Sequence, residues 1–241
     1  MTQPNATLEA LEHILREQHG CFICHYGRQS GRKYLDGVMY ESVNDFGLRQ
    51  RLIKNMGFCA LHSQEILTFP GAKLGAAVIE QAMLKEALRQ MSRASASRGS
   101  IFSRGHKRIH TSLISQRNDC PACLHEQDAE QRAIEELVAH WDDAWADLLE
   151  NAGGMCFNHL MIALRLAPKS VSSTLKAIHE RLWEILIAQL GEFIRKQDYR
   201  FRDEEISMEE GASSYRAVAV LTGESKIVIP IKPANGYHVE I

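Results

Sequence analysis

Six cysteines, all placed in two copies of one pattern, constrain this chain more than any other feature. Cys21-Phe-Ile-Cys24 is followed by Cys59-Ala-Leu-His62, and Cys120-Pro-Ala-Cys123 by Cys156-Phe-Asn-His159. Each copy supplies three thiols and one imidazole, the ligand set of a closed Cys3His zinc site. Two residues between cysteines let a single turn bring both sulfurs to one ion. The Cys-x-x-His pairs stand at i and i+3, so at a helix start both side chains face the same way. Ions held within each copy and ions shared between copies satisfy this arithmetic equally.

Other readings of the cysteines fit less well. Six thiols buried as small apolar groups leave the histidine at the same offset in both copies without a reason. A disulfide frame needs an oxidising compartment. The start, Met1-Thr-Gln-Pro-Asn-Ala-Thr7, has neither a basic nor an apolar stretch, so no export signal is expected and the chain is assigned to the cytoplasm. A thioredoxin-like dithiol belongs among alternating strands and helices, which the sequence lacks. Cys21-Phe-Ile-Cys24-His25 also spells the c-type haem motif, but the second copy moves the histidine to His125. An iron–sulfur cluster is the remaining alternative, since thiolates and an imidazole suit it too. Two zinc ions per chain are therefore the expected cofactors, with Cys21, Cys24, Cys59, His62, Cys120, Cys123, Cys156 and His159 as ligands.

The 241 residues are expected to form an all-α, internally duplicated fold in which the two sites pin helix ends together. Residues 1–92 and 119–202 read as the two helical repeats, 93–118 as a basic Ser/Gly-rich linker, and 203–241 as a C-terminal extension. Leu8, Leu11, Ile14 and Leu15 share one face of a first helix, with Thr7 as cap and Gly20 as stop. Gly27 to Gly37 reads as a loop. Ser42-Val-Asn-Asp45 opens a helix carrying Phe46, Leu52, Ile53 and Met56, closed by Gly57. Beyond Pro70-Gly71 a longer helix runs through Leu74, Ala77, Val78, Gln81, Leu84, Leu88 and Met91. In the second copy Ile134, Leu137, Val138, Trp141, Trp145, Leu148 and Leu149 trace one amphipathic helix, closed by Gly153-Gly154. A long helix with Leu175, Ile178, Leu182, Leu186, Leu190 and Phe193 follows Pro168. Ser213 to Gly223 suits a short helix or a strand. The tail from Lys226 to Ile241 has strand propensity, with Asn235-Gly236 as a turn and Pro230 and Pro233 confining it to an edge.

Charge and hydropathy exclude some function classes. A net charge of −2 argues against a wholesale nucleic-acid binder. No stretch approaches the ~20 apolar residues of a membrane span. Residues 87–118 hold Arg89, Arg93, Arg98, Arg104, Lys107, Arg108 and Arg117 with no acid among them. This strip reads as a solvated linker, or else as a docking strip for an acidic partner or nucleic acid, with Phe102 alone available for stacking. His13, His140 and His179 read as packed or solvated helix residues, and Trp141, Trp145 and Trp183 as core. There is no phosphate loop, nucleophile elbow or His-Glu-x-x-His helix.

The Cys/His sets, together with Arg195-Lys-Gln-Asp-Tyr-Arg-Phe201 and Tyr215-Arg-Ala-Val, resemble an uncharacterised bacterial family known as a domain of unknown function. The resemblance runs to about Gly223 and implies metal binding and a helical fold, but no reaction. Two functions are weighed. The first is a non-enzymatic scaffold in which structural zinc stiffens helices that bind a protein partner. The second is a redox or metallocofactor protein with an iron–sulfur cluster or an open metal site, near which Asp198, Tyr199, Arg200 and Arg216 would lie. The plain reading of that last segment is a helix C-terminus with Asp198 paired to an arginine.

Overall fold

Among the residues described by the computed structural model (5–96, 120–201 and 203–223, with 94–96 as backbone only), every regular element is helical. The extended tail expected from Lys226 and most of the basic linker lie outside the described residues. The first helix, α1 (Ala6–Glu17), opens where Asn5 Oδ1 accepts from the Thr7 amide, so Asn5 rather than Thr7 satisfies the helix start. Leu11, Ile14 and Leu15 are buried, as the spacing predicts.

The loop expected from Gly27 to Gly37 is instead helix. Helix α2 (Phe22–Gly37) runs straight through Gly27 and Gly31, and both glycines are buried. A Cβ on Gly31 would stand 2.5 Å from Glu126 Cγ, and one on Gly27 would meet the Glu130 side chain as closely. Their smallness serves contact with a neighbouring helix and not chain reversal, a role that composition alone does not separate from a turn. One π-helical turn, Val38–Ser42, leads to α3 (Phe46–Asn55). Asp45 caps α3, accepting from the Leu48 amide at 2.7 Å, in place of the start expected at Ser42. Met56 and Gly57, both at positive φ, end it. Helices α4 (Ala60–Ile66) and α5 (Lys73–Ala96) follow.

The single helix expected across Ile134 to Leu149 is two. Helix α6 (Pro121–Ala139) stops, and α7 (Asp143–Ala152) begins afresh with Asp142 accepting from the Trp145 amide at 3.2 Å. The apolar period carries across the joint, so only the capping aspartate marks it. Helices α8 (Phe157–Leu166) and α9 (Lys169–Lys196), a short 3-10 turn (Tyr199–Phe201) and α10 (Met208–Thr222) complete the chain. Helix α10 starts earlier than expected, where Ser207 and Glu210 form a reciprocal capping box, and the helix outcome at Ser213–Gly223 is the one observed.

The residues group into two compact units, 1–17 with 22–141 and 18–21 with 142–241. In the first, α2 packs along α6, α1 touches both, α4 rests on α2, and α3 on α5. Its core contains Leu35, Leu48, Leu52, Phe58, Ile66, Phe69 and Ile79. Each such side chain stabilises by about 1.5–3 kcal/mol when fully buried. In the second, α7, α8 and α10 pack on the long α9, with Leu149, Leu160, Leu175 and Ile178 buried. Trp145 is in this core, while Trp141 and Trp183 are only half-buried. Among the described residues no helix is long and apolar enough to cross a membrane.

Candidate metal centres

All four Cys/His motifs are built the same way. Cys59, Cys120 and Cys156 are the residues capping α4, α6 and α8, and Cys21 directly precedes α2. The second ligand of each motif, Cys24, His62, Cys123 or His159, sits three places on, inside the first turn. Extended backbone at the first position (φ −64°, ψ 162° at Cys59; φ −67°, ψ 161° at Cys156) turns that sulfur back over the turn that carries its mate. The unpaired amides and positive dipole end of a helix favour negative charge placed beside them. Glycines at positive φ, Gly57 before Cys59 and Gly153 and Gly154 before Cys156, let the chain swing into these starts.

The copies exchange partners. Cys21 and Cys24 gather with Cys156 and His159, and Cys120 and Cys123 gather with Cys59 and His62. The Cys-x-x-Cys of each copy thus meets the Cys-x-x-His of the other. Within each set the four ligand atoms all lie within 4.8 Å of one another. In the first set, His159 Nδ1 stands 3.3 Å from Cys21 Sγ and 3.3 Å from Cys156 Sγ. In the second, His62 Nδ1 stands 3.2, 3.5 and 3.4 Å from the sulfurs of Cys59, Cys120 and Cys123, and Cys59 Sγ is 3.7 Å from Cys123 Sγ. A tetrahedron with Zn–S of ~2.3 Å and Zn–N of ~2.0–2.1 Å has S···N edges of about 3.5 Å and S···S edges of about 3.8 Å. The donor set, its spacing and its burial fit one such ion per cluster. All eight predicted ligands are brought together and none is left aside.

The surroundings differ between the sets. The first is buried at all four ligands, whereas Cys59 and Cys123 of the second are half-buried. In the second set the sulfurs are close enough to share protons. Hydrogen bonds from Cys123 and Cys59 draw the Cys120 thiol far below its ordinary range, and Cys123 is pushed up as it holds the proton for Cys120. A cluster that settles negative charge on sulfur in this way is prepared for a cation.

Two residues missed in the sequence support the ligands. Glu126 Oε1 lies 3.2 Å from His62 Nε2, with His62 fully buried and Glu126 mostly so. The carboxylate holds the His62 ring with Nδ1 toward the sulfurs, the outer partner that liganding histidines commonly have. The signal was present as Cys120, Cys123 and Glu126, three places apart on one helix face. His179 is the other. The Met155 amide donates to its Nε2 at 2.8 Å, so the proton sits on Nδ1, which donates to Leu175 O at 2.7 Å. Burial lowers its pKa, keeping it neutral. It is packed and not a ligand, as expected, yet it holds the backbone one residue before Cys156. Gly154 makes room for it, since a Cβ there would fall 2.8 Å from His179 Nε2.

The remaining polar candidates have other partners. His25 Nδ1 pairs with Arg28 Nη2, and His125 stacks on Tyr34 and meets Ser30 Oγ. Asp198 pairs with Arg200, while Arg216 binds Gln189 and the Glu209 carbonyl. The plain reading of the Asp198–Arg200 segment holds.

A model for a family of unknown function, DUF6062, matches residues 1–227. A relative, described as an uncharacterized 23.9 kDa protein in the xynA 3′ region of Caldicellulosiruptor sp. (strain Rt8B.4), is 26% identical over 216 residues, covering 84% of this chain and 95% of the relative. No solved structure matches.

Proposed function

We propose that this chain, which belongs to the DUF6062 family, is a zinc-binding helical scaffold of the cytoplasm, with two structural ions and no reaction of its own. The observation that carries this reading is the ligand spacing. Four donors within 4.8 Å fit around a single ion and complete its tetrahedron, leaving no position for water or substrate. An iron–sulfur cluster spreads its ligands over several irons, so donors gathered this closely support the single-ion reading. The ligands are also far apart in sequence: Cys21 and His159 are separated by 138 positions, and His62 and Cys120 by 58. Ions joining such distant residues restrict the unfolded chain strongly, as long-loop cross-links do.

The test is metal analysis and a visible spectrum on full-length protein purified without oxygen. Two zinc ions per chain and a colourless solution are expected. Brown protein with sulfur–iron absorption would replace zinc by a cluster, and metal-free folded protein would remove the reading altogether. Cys120→Ala should lower zinc to about one per chain.

A further inference from the structure

The apolar stripe that marks α5 in the sequence is not buried. Leu74, Leu84, Leu88 and Met91 are 63–77% exposed, and Ala77 and Gln81 between them are exposed as well. The side of α5 that enters the core carries Ala76, Ile79 and Met83 instead. The exposed positions 74, 77, 81, 84, 88 and 91 alternate steps of three and four. That is the a/d pattern of a two-stranded coiled coil, and it lies opposite the core-facing side. A stripe with this narrow 3.5-residue period suits one partner helix; a membrane surface favours a broader apolar face rimmed by cations.

The flanking charges say which helix. With Leu74 at a, Glu80 falls at g and Lys85 at e, and both are exposed. In a parallel pair of identical helices, g contacts the e′ position five residues later on the partner. Glu80 would meet Lys85 of the second copy, and Lys85 the other copy's Glu80, in two symmetric pairs. An antiparallel pair sets g against g′ and e against e′, which offers Glu80 only Ala87 and gives no opposite-charge contact. Gln81 occupies the one polar a position, across the two-fold axis from its own copy, where amides fix register. In the single chain Lys85 Nζ donates to Gln81 Oε1 at 3.1 Å, so both side chains already lie along the seam.

We infer that α5 is the contact helix of a parallel homodimer, two copies of this chain joined along Leu74–Met91 with Glu80 and Lys85 paired across the seam. The inference does not depend on the identity of the metal. Sedimentation of the full chain over a range of concentrations tests it. A dimer is expected for the wild type. The double variant Leu84→Glu/Leu88→Glu is expected to be monomeric, with helical content and metal content unchanged because neither side chain is in the core. Lys85→Glu should weaken the dimer roughly tenfold, and Glu80→Lys/Lys85→Glu should restore it. A wild type that stays monomeric, or a dimer that survives Leu84→Glu/Leu88→Glu, overturns the inference. A dimer indifferent to Lys85→Glu overturns the parallel pairing.

Discussion

At the scale of single residues, Glu126 holds the His62 ring and His179 holds the backbone just before Cys156. Spacing identifies Cys59 and His62 because the chemistry needs two donors on one turn. Glu126 shares the three-residue spacing of Cys120 and Cys123, but a glutamate in a helix is ordinary until His62 Nε2 is seen beside it. Replacing Glu126 by Ala should lower zinc affinity at the second site by ~10–100-fold and leave the first site unchanged. Competition against a chromophoric chelator would show this as one weak and one tight ion, and two equal ions would deny Glu126 its role. His179→Leu keeps the volume but leaves the Met155 amide buried without an acceptor. It should cost ~1–3 kcal/mol in urea unfolding.

At the scale of elements, starts and stops were read well where a cap or a left-handed glycine marks them, and badly where a residue has two uses. Gly27 and Gly31 read as loop because glycine usually interrupts helices, but here they admit Glu130 and Glu126. The joint between α6 and α7 was hidden because Trp145 keeps the period beyond Asp142. The stripe of α5 is helix as its period predicts, but a clear helical period marks an apolar face without saying whether it faces the core. Gly154→Ala meets both a left-handed backbone (φ 78°) and the His179 ring. Its loss should be at least about 1–2 kcal/mol from the backbone alone, measurable as a lower unfolding midpoint.

Helix α10 has a pH dependence of its own. Lys196, and then the Ser207 amide, hold the Glu210 carboxyl below its ordinary range, and the Lys196 and Glu210 side chains are only 12% and 13% exposed. A depressed carboxyl binds fewer protons folded than unfolded, so its contribution is complete above the ordinary carboxylate range and is lost as pH falls below about 4.5. Amide protection in α10, corrected for intrinsic exchange, should fall over that window, and Glu210→Gln should flatten the response.

At the scale of the whole molecule, the helical class and the eight Cys/His residues that cluster followed from the sequence, whereas the exchange of partners between copies could not. Both pairings use the same residues at the same spacings, and only the path of the chain in space selects one. Structural zinc contributes ~10–16 kcal/mol in peptide systems, comparable with or above the ~5–15 kcal/mol of a whole domain. Adding a strong chelator at neutral pH should therefore abolish the helical circular dichroism cooperatively. Retention of full helicity in metal-stripped protein would show that the clusters are dispensable. The exchange also sets an order of events during synthesis. Cys21 and Cys24 leave the ribosome long before Cys156 and His159 exist, and Cys59 and His62 must wait for Cys120 and Cys123. The newborn N-terminal half carries four of the eight side chains, Cys21, Cys24, Cys59 and His62, with no finished cage to receive an ion, so the Cys59 cage would close before the Cys21 one.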